Sequence, residues 1–289
     1  MANAEQSPQL PAVQGVLAIV AGNGDLPRLI AEDCQRKNLP YRVVQFEGID
    51  LDWSDGHSVI PAVFEKPGRL FSSLRKVGCD RIAFAGGIKR PRISPLRFDL
   101  TGIRLAPKLF SALRSGDDAA LRIVSEIFEA QGIHIVGAHE LLSSLLAPSG
   151  IHSKVKPTDD DRTDARRAAE IVAALGAVDT GQAAVVAQGI CLGLESIQGT
   201  DQLLNFVAQT ANEFRPDPEG ARGVLLKAPK PGQDWRTDLP AIGPDTMVAA
   251  ANAGIAGVVV QAGGVLVLGL DETIAKADEL GLFFWGREG

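Results

Sequence analysis

The stretch with the most chemistry to offer is Gly223–Thr246, GVLLKAPKPGQDWRTDLPAIGPDT. It opens as an apolar run, Gly223–Leu226, and is then broken by Pro229, Pro231, Gly232 and Pro240. A buried strand that empties into a stiff, charged loop is where a scaffold places reactive groups. Asp234 and Asp238 can hold a divalent cation or a water. Lys227, Lys230 and Arg236 can face phosphate oxygens, and Trp235 presents a broad apolar face beside them. That set points to phosphoryl transfer to water on an amphiphilic substrate.

Other motifs offer binding groups. Ala21–Pro27 (AGNGDLP) follows an apolar run and precedes helical spacing. Gly22, Gly24, Asp25 and Leu26 therefore stand where loop amides and a helix N-terminus bind anions. Pro27 occupies the third glycine position of a dinucleotide fingerprint, so the loop reads equally as a tight strand–helix turn. Glu47 lies near the place of a ribose-binding acid. In Phe84–Pro91 (FAGGIKRP) a strand ends in Gly86 and Gly87, followed by Lys89 and Arg90. Both loops would lie at the carboxyl edge of a parallel sheet, where ligands bind. In Leu113–Asp118 (LRSGDD) one of Asp117 and Asp118 caps the next helix, and the other, with Arg114, is available to a ligand.

Further on, Asp179–Gln182 (DTGQ) leads to Glu195 and to Gly199–Asp201 (GTD). Glu195 ends an apolar strand, and a carboxylate is rarely buried without a partner or a metal. Asp201 reads as a helix cap. The histidines, His57, His134, His139 and His152, show no metal spacing. His134 reads as a core residue, while His139 with Glu140 can hydrogen-bond a ligand. Nothing suggests a covalent nucleophile.

These groups need elements to hold them. Apolar runs at Gly15–Ala21, Tyr41–Phe46, Arg81–Ala85 and Ile133–Val136 alternate with helical spacing at Leu26–Lys37, Arg69–Val77, Asp117–Ala130 and Ala138–Leu146. Strand–helix alternation predicts a parallel sheet covered on both faces. Leu146–Asp161, with two prolines and a block of acids, reads as a linker between residues 1–150 and 151–289. Thr158 is placed to cap a helix running to Leu175. Strands at Ala183–Ala187, Ile190–Glu195, Gly223–Leu226, Gly257–Val260, Val265–Leu268 and Leu282–Trp285, with helices at Thr200–Glu213, Pro244–Gly254 and Glu272–Leu280, predict a second α/β layer of unreadable topology.

The 289 residues suffice for two domains, and 45% hydrophobic with 22% charged content is that of a globular protein. Met1–Pro11 reads as a loose tail rather than a signal peptide. The longest apolar stretch, Gly254–Leu270, is interrupted by glycines and Gln261 and falls short of a membrane span. Cys34, Cys79 and Cys191 show no pairing pattern and read as buried thiols in a reducing cytoplasm. A net charge of −6 argues against nucleic acid as a partner. Residues 1–150 nevertheless carry 17 basic against 16 acidic groups, and residues 151–289 carry 12 against 19. Lys89–Arg114 holds seven basic residues and one acid, a patch that suits phosphates or an anionic bilayer as well as plain solvation.

The ordered set AGNGDLP (Ala21–Pro27), FAGGIKRP (Phe84–Pro91), ALRSGDDA (Ala112–Ala119), VGAHELL (Val136–Leu142), DTGQA (Asp179–Ala183), GTD (Gly199–Asp201) and KPGQDWRTDLPAIGPDT (Lys230–Thr246) resembles the UDP-2,3-diacylglucosamine pyrophosphatase family of lipid A biosynthesis, in its metal-dependent form unrelated to calcineurin-like phosphoesterases. The resemblance implies an α/β protein with a Rossmann-like N-terminal domain and a family-specific α/β C-terminal domain, the substrate lying between them. It implies Mg²⁺-dependent hydrolysis to 2,3-diacylglucosamine 1-phosphate and UMP, with the family's essential aspartate carried onto Asp234, as metal ligand or water-orienting group, and Asp238 as its competitor. Lys227, Lys230 and Arg236 would steady phosphate oxygens. The N-terminal loops, with Lys89 and Arg90, would hold the UDP. Arg114, Asp117, His139, Gln182, Thr200 and Asp201 fall in the matching motifs as further binding positions, and Glu195 joins them as a candidate from its place at a strand end. Two acyl chains need an apolar groove, for which Leu203–Val207 and Leu282–Trp285 read as candidates and equally as core. The expected setting is cytoplasmic, with transient contact at the inner face of the inner membrane and a homo-oligomer left open. Two other functions compete: an NAD(P)-dependent oxidoreductase, and a non-catalytic sugar-nucleotide or lipid-binding protein.

Overall fold

The apolar run after Gly15 forms the first strand of the computed structural model, β1 (Val16–Ala21). The structure describes residues 15–289, so the expected tail Met1–Pro11 lies outside the described residues. Helix α1 (Leu26–Arg36), β2 (Tyr41–Phe46), β3 (Val59–Ala62), α2 (Pro67–Lys76) and β4 (Cys79–Ala85) follow, and β5 (His134–Ile135) completes the sheet. The strand order is β3-β2-β1-β4-β5, every neighbouring pair parallel. Alternation predicted the parallel sheet and the resemblance a Rossmann-like domain; the observed order is the Rossmann one, and it gathers the β1–α1 and post-β4 loops at one carboxyl edge. Strand β3 escaped the sequence reading because Pro61 interrupts it. Proline is tolerated there because β3 is an edge strand.

Between β4 and β5 lie α3 (Leu100–Arg114) and α4 (Asp117–Glu129). The basic stretch therefore ends in a helix that its Gly102 and Pro107 conceal in the sequence. Gly102 is required, since a Cβ there would stand 2.7 Å from the carbonyl oxygen of Glu65. His134, expected in the core, is exposed: the two-residue β5 buries Ile135 and turns the histidine out.

The chain divides into two compact units, one comprising the residues up to Leu109 with Ser125–Val136, the other Phe110–Val124 with Gly137–Gly289. The second unit holds α5 (Ala138–Leu141), β6 (Gly150–Ile151), α6 (Asp159–Ala177), β7 (Ala183–Ala187), β8 (Ile190–Leu194), α7 (Thr200–Phe214), β9 (Val224–Lys227), β10 (Ala241–Ile242), α8 (Pro244–Asn252), β11 (Gly257–Gln261), β12 (Leu266–Val267), α9 (Leu270–Glu279) and β13 (Phe283–Arg287). Its main sheet has the order β6-β13-β11-β9-β7-β8; β9, β11 and β13 run parallel, whereas β6, β7 and β8 pair antiparallel. β10 and β12 form a separate parallel pair.

Alternation along the strands explains the layers. Val185, Leu225, Val258, Val260 and Phe284 face one core with Leu204, Val207 and Met247 of the neighbouring helices, while Val186, Val224, Leu226, Val259 and Phe283 face the other with Ala165, Ala168 and Val172 of α6. Helix α6 begins as expected: Thr158 Oγ1 accepts from the Asp161 amide and Asp161 Oδ2 accepts from the Thr158 amide. Leu203–Val207 and Leu282–Trp285, read as acyl-groove candidates and equally as core, place Leu203, Leu204, Val207, Leu282, Phe283 and Phe284 in the core, while Phe206 is exposed. Cys34 and Cys79 are buried, but Cys191 is exposed because β8 is the sheet's outer strand.

Candidate active site

Strand β9 runs buried to Lys227 and then releases the loop that carries Lys230, Asp234, Arg236 and Asp238. A short turn fixes the acids: the Thr237 amide donates to the Asp234 carbonyl at 3.0 Å, and the Asp238 amide reaches it at 3.4 Å. Asp234 is clamped by a single residue, accepting from the Arg236 amide (3.0 Å), Nε (3.0 Å) and Nη2 (2.7 Å). That bidentate guanidinium, outweighing partial burial, holds its carboxyl below the usual range, with Arg122 adding a smaller pull. Asp238 is in the opposite state. Burial pushes its carboxyl up, with Asp117 and Asp118 adding to the rise, against the opposing pull of Lys227 and Lys230. Its described hydrogen bond is from Gln233 Nε2 at 3.3 Å.

The three cations meet different surroundings. Lys227 is buried, and its Nζ donates to Thr200 Oγ1 (2.7 Å) and the Ala241 carbonyl (3.1 Å), with Glu195 Oε1 at 4.0 Å. Glu195, also buried, accepts from Thr200 Oγ1 (2.9 Å) and the Gln182 amide (3.2 Å). The partner demanded of a buried Glu195 is thus this network, which ties the ends of β7, β8 and β9 to the start of α7. Lys230 Nζ contacts Asp179 Oδ1 at 2.5 Å. Arg236 is half-exposed in its pair with Asp234.

Asp179 received no role from the sequence alone. It adopts a left-handed backbone (φ 52°) and turns its carboxylate onto the first turn of α4, 3.4 Å from the amides of Asp118 and Ala119. Burial alone would raise its carboxyl, but Lys230 and those amides outweigh burial and lower it. Gly116 leaves the room, since a Cβ there would stand 1.9 Å from Asp179 Oδ2. The glycine in the SGDD motif was the available signal. Asp117 and Asp118 open α4 as expected, and Arg114 is exposed at the end of α3. Asp201 is exposed in the first turn of α7, but the cap position belongs to Gly199, at φ 85°. His139 meets Trp235 edge-on at 6.2 Å between ring centroids. His139 Nδ1 and Gln182 Oε1 are buried polar atoms without a hydrogen-bond partner among the described residues. Such orphans in a native interior call for a ligand, ion or water.

In the first unit, the two glycine loops bind each other. The Asn23 amide donates to the Gly87 carbonyl (2.9 Å), the Gly87 amide to the Asn23 carbonyl (3.1 Å), and the Gly22 amide to the Ala85 carbonyl (2.7 Å). A Cβ on Gly22 would stand 2.6 Å from the Gly86 carbonyl oxygen, and one on Gly86 2.4 Å from that of Asn23. Those amides are spent on holding the loops together. Gly24, at φ 92°, and Asp25 line a cavity of about 490 Å³ with Asp50, Asp52 and Trp53, while Leu26 is buried in α1. Trp53 and its acids were missed because they lie in a polar loop without a motif. Lys89 and Arg90 are exposed beyond β4, and Glu47 pairs with Arg97 at 2.5 Å.

Among the described residues no three His, Cys, Asp or Glu side chains form a ready-made metal site. Mg²⁺ does not require one, because it binds through one or two carboxylates plus substrate phosphates.

Comparison with known proteins now decides the family. The LpxI N-terminal domain profile matches residues 16–145, and the LpxI C-terminal domain profile matches residues 148–285. A relative from Caulobacter vibrioides, the UDP-2,3-diacylglucosamine pyrophosphatase LpxI, is 41% identical over 273 residues, covering 93% of this chain and 96% of its own length. The chain belongs to the LpxI family. The two-domain α/β architecture expected from the ordered motifs is that of this family, with one domain profile falling on each half of the chain.

Proposed function

We propose that the protein is a hydrolase that cleaves the pyrophosphate bond of UDP-2,3-diacylglucosamine, yielding 2,3-diacylglucosamine 1-phosphate and UMP. The family membership and the name of the Caulobacter relative support the reaction class. The observation that carries the mechanism is the pair of acids on one turn whose environments push them apart, Asp234 held ionised and Asp238 held toward its protonated form. Carboxylates split in this way divide into a fixed charge and a proton acceptor. Asp238 takes the proton from the attacking water, with Gln233 fixing its orientation. Arg236 and Lys230, the cations of the loop, steady phosphate oxygens, and the orphaned atoms of His139 and Gln182 are satisfied by substrate or water. Lys227 acts from below, holding Glu195 and Thr200 so that the loop leaves β9 in one direction.

The donor set fits Mg²⁺. Asp234 is ionised, and Arg236 takes three of the roughly four acceptor positions a carboxylate offers. Asp234 would therefore hold the ion together with substrate oxygens. When bound, Mg²⁺ neutralises and polarises the diphosphate.

The cavity beside Gly24 suits the uridine half. Trp53 offers a stacking face and Asp50 and Asp52 accept from ribose hydroxyls, while the same acids disfavour phosphate there. Access to an amphiphile is supported by the basic patch: Leu96, Leu100 and Ile103 are 98%, 78% and 58% exposed on consecutive turns beside Arg92, Arg104 and Lys108. Apolar groups flanked by cations fit an anionic lipid surface. No helix among the described residues is long and apolar enough to cross a membrane.

The deciding experiment incubates the protein with UDP-2,3-diacylglucosamine and Mg²⁺ and follows UMP. Wild type should release it, and Asp234→Asn should retain substrate binding while losing turnover. Release of UMP by Asp234→Asn at the wild-type rate would refute the assignment.

A further inference from the structure

Helix α6 closes in a Schellman turn: the Asp179 amide donates to the Gly176 carbonyl (3.0 Å) and the Thr180 amide to the Leu175 carbonyl (3.1 Å). Asp179 holds the left-handed position of that turn, at φ 52°. Glycine fills such a position at the lowest backbone cost. The chain sets a carboxylate there instead, two residues before Gly181. Closing the helix does not call for that choice, so its reason lies in what the carboxylate meets.

Asp179 Oδ1 accepts from Lys230 Nζ at 2.5 Å, and the two oxygens stand 3.4 Å from the Asp118 and Ala119 amides of α4. Two glycines clear the space on either side. A Cβ on Gly116 would stand 1.9 Å from Asp179 Oδ2, and one on Gly176 would stand 2.6 Å from Pro231 Cδ and 3.1 Å from Lys230 Cα. The last turn of α6 thus abuts the loop at the residue that Asp179 grips. From Lys230 the contacts run on to the acids: its amide donates to Gln233 Oε1 (2.9 Å), and Gln233 Nε2 donates to Asp238 Oδ2 (3.3 Å). Every member of this series belongs to the second unit. The Lys230 side chain is only 10% exposed, yet it lines a cavity of about 350 Å³ with Gln261, Trp235 and Arg287. An ammonium carries three donors, and Asp179 takes one of them, which leaves two for phosphate oxygens.

We propose that Asp179 is a positioning residue for the hydrolysis: it ties Lys230 to the first turn of α4 and, through Lys230 and Gln233, fixes the loop that carries Asp238. The proposal rests on the reading of the protein as a pyrophosphate hydrolase. It gives the DTGQ motif a task in the reaction without contact to the substrate.

The test has one readout that needs no turnover and one that does. Lysines are acetylated with an N-hydroxysuccinimide ester and mapped by peptide mass. In Asp179→Gly, which suits the left-handed backbone, and in Asp179→Asn, Lys230 should react several-fold faster relative to Lys154, whose side chain is 85% exposed. UMP release from UDP-2,3-diacylglucosamine should show kcat lowered by about a hundredfold, the effect of displacing a reacting group by about 1 Å, with KM little changed. Gly116→Ala, which drives the carboxylate off without removing it, should give the same loss and add no more than about twofold to Asp179→Gly. In a Lys230→Met background Asp179→Gly should likewise add no more than about twofold. A carboxylate that served the fold alone would shift the melting temperature and leave kcat of the folded variant in place. Unchanged labelling of Lys230, a kcat within about twofold of wild type in folded Asp179→Gly, or full additivity with Lys230→Met would overturn the proposal. Faster labelling of Lys230 with no UMP from wild type would uphold the tie and sink the hydrolase reading instead.

Discussion

Replacing Asp238 by asparagine separates the chemistry of the loop from its architecture. The substitution keeps the shape and an oxygen for Gln233 Nε2 but removes the proton acceptor. Loss of a positioned general base costs about 10²–10⁴ in rate, or roughly 2.7–5.4 kcal/mol of barrier. We therefore expect kcat to fall by that factor with KM little changed. Burial raises the Asp238 carboxyl, so wild-type kcat should decline as pH falls through a value above the ordinary carboxylate pKa of about 3.9, and the asparagine variant should lack that limb. Stability should move the opposite way. A carboxyl raised in the folded state favours folding below its unfolded pKa, and that contribution is lost as pH rises through the folded value. The variant should thus melt at or above the wild-type temperature at neutral pH, with the difference disappearing on acidification toward the unfolded pKa. Stopped-time UMP assays and thermal melts across pH read both effects. A variant that keeps the acidic limb, or loses less than about threefold in kcat, would refute the role given to Asp238.

Chelation of divalent ions should abolish UMP release and added Mg²⁺ should restore it, whereas Asp234→Asn should bind Mg²⁺ far more weakly in the presence of substrate; a Mg²⁺-binding titration of both proteins checks this. Thr200→Val removes the hydroxyl that joins Lys227 to Glu195 and should cost about 1–3 kcal/mol, seen as a lowered denaturant midpoint. Trp53→Ala should weaken UMP as a product inhibitor by the roughly 1–3 kcal/mol of one base–aromatic stack, measured as a rise in its inhibition constant. Leu96→Ser with Leu100→Ser should release the protein from anionic vesicles in flotation while leaving hydrolysis of a short-chain substrate intact.

The sequence carried the local parts of this site and not its assembly. Asp234 and Asp238 are four residues apart on one turn, so their pairing was readable from spacing and from the strand that precedes them. The role of Asp179 was not, because it depends on a helix start some 60 residues earlier and on the room that Gly116 leaves for its carboxylate. Lys227 looked like a phosphate ligand because it ends a strand beside a charged loop. Its burial against Glu195 and Thr200 is a tertiary fact with no local signature. The antiparallel β7–β8 hairpin was present as two apolar runs, and the two positive-φ residues that join them, Gln188 and Gly189, were its overlooked turn. Helix α3 was hidden by Gly102 and Pro107 and by apolar residues that face outward instead of into a core. The parallel sheet of the first unit, by contrast, followed from strand–helix alternation, because each strand but the edge β3 carries a β-branched or apolar run next to helical spacing; its order was not readable that way.

The seam between the two glycine loops leaves Gly22 and Gly86 no latitude. A lone extra methyl at either point would wedge apart segments that lie more than sixty positions distant along the polypeptide, at the rim of the cavity that Gly22 lines with Trp53. At these two places the fold leaves space for a hydrogen atom and nothing larger.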